Sequence, residues 1–232
     1  MNENLGMLLA SEFERPSVLD ALPPDFNQAR FIQNSIALVN ENENLAHMPQ
    51  AKLVPVLLKG AYLGLDFFNK ECYAVPYGQQ LQFTPSYIGM VKLAKQYSKR
   101  PLVDIYAKLV HEGDEFESGV DEGREYVRFK PQPFNDGPVV GAFAVAHFED
   151  GGIRVETMSK QQLDAVKRMS KAQSGTAWKF FPDQMYRKSV IRRLCKGIDL
   201  DMNAVQARIM RSEEEDTKEV EVVEVDNPFA EQ

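Results

Sequence analysis

Residues 139–169 read VVGAFAVAHFEDGGIRVETMSKQQLDAVKRM, and this stretch decides the fold class. A run of ten uncharged, largely apolar residues (139–148) is followed by Glu149-Asp150-Gly151-Gly152, a turn signal. A second strand-like run (153–157) comes next. Ser159 with Gln162 three residues later is a capping-box signature, so a helix starts there and runs to about Met169. Strand, tight turn, strand, then helix marks an antiparallel sheet with helices packed on it.

Upstream, residues 102–111 and 125–130 are further strand candidates, with Gly113/Asp114 and Pro133/Asn135/Gly137 as turns. The four strands read as an antiparallel meander. Residues 73–75 and 81–83 around Pro76-Tyr77-Gly78 predict a separate β-hairpin, and residues 86–97 an amphipathic helix. Helical spacing runs through Phe31, Ile32, Ser35, Leu38 and Val39 within residues 26–46. It resumes over 51–63, perturbed near Pro55 and stopped at Gly64, which is expected to adopt positive φ. Residues 1–25, with Pro16, Pro23 and Pro24, read as an N-terminal arm; 26–212 as the main domain; and 213–232 as an acidic, disordered tail after a short helix over 201–210. The class is α+β: an antiparallel β-meander flanked by helices, with an N-terminal helical region and a β-hairpin.

Hydrophobic residues make up 44% of the 232, enough for a core. The longest apolar run is too short for a bilayer, which takes ~20 residues. No secretory signal opens the chain. The two cysteines, Cys72 and Cys195, fit a reduced cytoplasmic protein.

The net charge of −7 conceals a strong asymmetry. From Ser212 onward there are nine acids and one base, whereas residues 160–196 hold ten Lys and Arg against Asp164 and Asp183. A basic segment in a near-neutral body is the footprint of a phosphate-binding surface. Within residues 182–196, Tyr186, Val190 and Leu194 form one i, i+4 row. Lys188, Arg192 and Lys196 form another on the opposite side, a helical turn of ~5.4 Å apart, on the scale of a nucleic-acid backbone repeat. In the preceding helix Leu163, Val166 and Met169 are apolar, with Lys160, Lys167, Arg168 and Lys171 off that face. Candidate DNA contacts are therefore Lys160, Lys167, Lys171, Lys179, Lys188, Arg192, Arg193 and Lys196. Trp178, beside the intervening loop, joins them as a base-stacking platform, whereas Phe180, Phe181 and Tyr186 read as core. For any one basic helix, a merely solvated face is an equally good account.

Enzyme readings are weaker. No Gly-Lys dipeptide exists to cradle a nucleotide phosphate. Glu112, Asp114, Glu115 and Glu117 cluster near a strand end, a metal-nuclease possibility set against ordinary turn acids. His47, His111 and His147 lack metal-ligand spacing with the cysteines. No cofactor, metal or catalytic residue is expected.

Several strings together resemble the RecT family of phage-type single-strand DNA annealing recombinases. Leu63-Gly64-Leu65-Asp66 is similar to that family's LGLEP region, and Tyr73-Ala74-Val75-Pro76-Tyr77-Gly78 to its hairpin. Tyr87-Ile88-Gly89-Met90-Val91 with Leu93-Ala94 resembles its Y-x-G-M-x-x-L-A helix, and Glu112-Gly113-Asp114-Glu115-Phe116 its EGDEF. Ser170-Lys171-Ala172, Trp178, Met185, Lys188, Ile191-Arg192-Arg193-Leu194 and Lys196 follow its C-terminal signature. Ile88 departs where members often carry a base, and Ser189 where threonine is common.

The resemblance covers about residues 50–200 and implies a distant Rad52-like annealing fold. It also implies ATP-independent annealing of complementary single strands in phage-type homologous recombination, and homo-oligomeric rings or helical filaments built by residues 26–212. As partners it implies single-stranded DNA and its complement, a phage exonuclease and a host single-strand-binding protein, with no membrane association. The alternatives are a passive single-strand coat protein and a metal-dependent nuclease.

Overall fold

The computed structural model describes residues 3–77, 80–170 and 173–223. The chain divides into two compact units, residues 1–90 with 202–232, and residues 91–201. All its sheets are antiparallel, and the mixed helix-and-sheet composition is that of the α+β class.

In the first unit, α1 (Glu3–Phe13), α2 (Pro16–Leu19), α3 (Gln28–Glu41), α4 (Glu43–Ala46) and α5 (Gln50–Leu63) precede the hairpin β1 (Cys72–Tyr77) and β2 (Gln80–Pro85). The expected N-terminal arm is instead two helices, with Leu5, Leu9, Phe13 and Val18 buried. The i, i+4, i+8 spacing of the first three gives α1 an apolar stripe to bury. The single helix expected over 26–46 is two. Asn42 is extended (φ −120°, ψ 104°), and its side chain accepts from Asn44 N and Leu45 N, restarting the chain as α4. Pro55 lies inside α5, which already starts at Gln50.

Gly64 ends α5 with φ +66°, as expected. Its N–H bonds Ala61 O at 2.9 Å, and Leu65 N bonds Gly60 O at 2.9 Å. Edge-to-face rings link Phe13, Phe31, Phe67 and Phe83 through the core at 6.1–6.2 Å. The helix α10 (Ala204–Val223) completes this unit. Asn203 and Gln206 cap each other at its start, and Gln206 Nε2 donates to Tyr62 O at 2.9 Å. The helix runs past Glu213, itself buried, where the acidic tail was expected to begin. Glu213 to Glu215 are good helix formers that extend it. Residues 224–232 lie outside the described residues.

The unit boundary falls within α6 (Tyr87–Tyr97). The second unit then holds β3 (Leu102–His111), β4 (Glu115–Asp121), β5 (Arg124–Lys130), β6 (Val139–Phe148) and β7 (Ile153–Ser159). These are followed by α7 (Lys160–Met169), α8 (Thr176–Phe180) and α9 (Pro182–Lys196). The strands do not pair as a simple meander. β3, β6 and β7 form one sheet in that order, while β4 and β5 form a separate hairpin. β4 was not expected, because its acids read as turn residues. Its turn, Glu122-Gly123, has both φ values positive (47° and 78°), as a tight hairpin needs.

The alternation of β6 explains the layering. Phe143 and Val145 point to one face, where Phe116 and Phe129 of the hairpin each meet Phe143 at 5.0 Å between ring centroids. Ala142, Ala144 and Ala146 point to the other, and all are buried. Alanines leave room for a helix to lie close, and α9 packs there across β3, β6 and β7, with α7 beside it.

Candidate nucleic-acid interface

The basic segment builds its surface from α7, α8 and α9. α7 begins at the capping box read from the sequence: Ser159 Oγ accepts from Gln162 N, and Gln162 Oε1 accepts from Ser159 N at 3.0 Å. α9 begins at Pro182, whose fixed φ suits a first helical turn. Its row Tyr186, Val190 and Leu194, with Cys195, is buried. Lys188, Arg192 and Lys196 lie about 200° around the helix from that row. Lys196 is exposed, and Lys188 and Arg192 are half-buried. Every fourth residue of α9 is thus apolar and seated on the sheet, and the row two residues on is cationic.

The predicted cations separate into two groups. Lys160 is tied down: its ammonium pairs with Asp164 and lies 5.4 Å over the Tyr186 ring, while Tyr186 OH donates to Asp164 at 2.9 Å. The Asp164 partnership raises the Lys160 pKa, the Lys160 bond lowers that of Asp164, and burial raises that of Tyr186. Arg193 pairs with Glu156 on β7 at 2.9 Å, fastening α9 to the sheet. These two are joints of the scaffold. Lys179, Lys196, Arg168 and Arg187 are exposed, and Lys167 is half-buried at the end of α7. Arg168 and Arg187 were not among the expected contacts, though their charge is plain in the sequence. Lys171 lies outside the described residues. Of the two acids in the segment, Asp164 is occupied by Lys160, and Asp183 sits in the first turn of α9, where it complements the helix dipole.

Tyr186 lies in the core as expected, whereas Trp178, Phe180 and Phe181 are placed the opposite way from expectation. Trp178 is 3% exposed, T-shaped against Tyr186 at 5.9 Å, and its indole N–H donates to Ser170 Oγ at 3.2 Å. It offers no face to a ligand. Phe180 and Phe181, expected in the core, are 63% and 54% exposed. Helical phase is the signal that separates Trp178 from Phe180, since residue i+2 points about 200° away from residue i.

The acids weighed for a nuclease serve the sheet. Asp114 accepts from His111 N at 2.8 Å, Gln132 N at 2.9 Å and Asn135 Nδ2 at 2.8 Å, and these bonds hold its pKa below the usual carboxylate range. Glu115 pairs with Lys130, and Glu117 with Arg128 and the Tyr126 hydroxyl. Among the described residues, no group of three or more His, Cys, Asp or Glu could hold a metal ion. Likewise no helix among them is long and apolar enough to cross a membrane.

Comparison with known proteins gives two findings. The model of the RecT family matches residues 29–226. The chain is also similar to Protein RecT of Escherichia coli (strain K12), with 29% identity over 206 residues, covering 84% of this chain and 75% of that protein.

Proposed function

Because the chain belongs to the RecT family, whose members act in recombination and strand annealing, we propose that it binds single-stranded DNA and anneals complementary strands without a nucleotide cofactor. The observation that carries this reading is the construction of α9, which puts Tyr186, Val190 and Leu194 on the sheet and Lys188, Arg192 and Lys196 on the far row. Backbone-directed cations neutralise phosphate repulsion without reading sequence, so base edges stay free for a second strand. Weak contacts repeated along an oligomer, a ring or helical filament, supply affinity by multivalency. A phage exonuclease that exposes the strand and a host single-strand-binding protein that coats it are the partners such a protein would meet.

Duplex formation from labelled complementary oligonucleotides, without ATP or divalent metal, tests the proposal. An annealing protein accelerates pairing, whereas a passive coat slows it.

A further inference from the structure

Phe180 and Phe181 are the two aromatic side chains of the basic segment that the core does not enclose. Their exposure follows from the chain itself. Trp178 is seated against Tyr186, and two residues further along a helix the side chain points about 200° away, so seating the indole turns Phe180 outward. Pro182 then disfavours the α conformation at the residue before it. Phe181 accordingly leaves the helix (φ −132°, ψ 48°), ending α8 with a second ring outside. Adjacent exposed rings forfeit the burial that makes phenylalanine a core residue and mark a surface that meets a ligand.

The surroundings select the ligand. Lys179 Nζ lies 5.3 Å from the Phe180 ring centroid, and the exposed Arg187 follows in α9. Asp183 is the one acid of the α9 first turn. A ligand for this corner is planar and apolar on its face and anionic beside it, as a nucleobase with its phosphate is. We propose that Phe180 and Phe181 form a stacking platform for bases of single-stranded DNA, with Lys179 taking an adjacent phosphate. The proposal rests on the single-strand-binding reading above and adds how bases are held. A base stacked by its face keeps its pairing edge free, which annealing requires.

The test uses the full chain and four variants: Phe180→Ala, Phe181→Ala, Phe180→Leu and Phe181→Leu. Binding to labelled oligothymidylate and to an abasic strand of equal length is measured across a salt series, with oligomeric state followed by light scattering. The platform predicts that the parent chain prefers thymidylate. Each Ala variant loses on the order of tenfold on thymidylate and nothing on the abasic strand, with the salt slope unchanged. The Leu variants, apolar but without a π face, lose as much as Ala. Leu variants that bind like the parent, or Ala variants that lose equally on both strands as the oligomer dissociates, would show a contact between copies and overturn the platform. Ala variants indistinguishable from the parent would overturn it as well. A parent chain that binds neither strand would instead overturn the single-strand-binding reading itself.

Discussion

Gly89 is a residue whose lack of a side chain is required. Ser86 N donates to the Glu71 carbonyl at 2.9 Å, and Ser86 Oγ caps Gly89 N at 3.1 Å. A Cβ on Gly89 would overlap that same Glu71 oxygen, with Leu65 close behind. Gly89→Ala is expected to cost about 3 kcal/mol, as a forced backbone shift in a packed site does. Gly123→Ala meets open space and pays only for its φ of +78°, about 1 kcal/mol. Paired denaturation curves check the ranking.

Asp114 makes a pH prediction. Its folded pKa lies below the ordinary 3.8, chiefly through the His111 backbone N–H. Its contribution is therefore fully present above that ordinary value and lost as pH falls through the lower folded one. The stability gap between the parent chain and Asp114→Ala should be constant at neutral pH and close in acid. A gap that persists in strong acid would deny the carboxylate its role. Burial raises the Cys195 thiol to about 12, and Cys72 is fully buried. Neither should react with a thiol reagent until the chain is unfolded.

At the scale of elements, the proposed function gives the cations of α9 different tasks. Lys188→Ala and Arg192→Ala should preserve the circular dichroism spectrum and weaken single-strand binding. If each removes one phosphate contact, the salt slope falls by about 0.7. Arg193→Ala breaks the Glu156 pair instead. For a partly exposed pair it should cost stability on the order of 1 kcal/mol with little change in the salt slope. Equal slope changes in all three would contradict the division.

Features set by local spacing were legible in the sequence: the apolar row of α9, the Ser159/Gln162 cap of α7 and the left-handed Gly64. Those set by distant partners were not. β4 looks like a string of turn acids until Phe116 meets Phe143 on β6 of the other sheet. The pairing of β3 with β6 is likewise decided by packing rather than by order along the chain. The stripe Leu5, Leu9, Phe13 was present but obscured by the nearby prolines. The exchange of Trp178 with Phe180 was missed because two aromatics of similar hydrophobicity sit in one five-residue helix, where only the phase imposed by the core distinguishes them.

Over the whole molecule, net charge and its distribution point in different directions. A chain of −7 carries ten bases against two acids in residues 160–196, while nine acids against one base follow Ser212. Phosphate-led binding predicts that affinity for single strands falls steeply with salt and varies little with sequence. An affinity flat across the salt series would contradict it. The central claim, that this surface brings complementary strands together, is tested most directly by the rate of duplex formation from dilute complementary oligonucleotides in the presence of chelator and without nucleotide. The account predicts that the chain accelerates pairing, that Arg192→Ala loses most of the acceleration while still folded, and that non-complementary strands do not pair. Pairing slower than in buffer alone, or acceleration that appears only with ATP or metal, would contradict it.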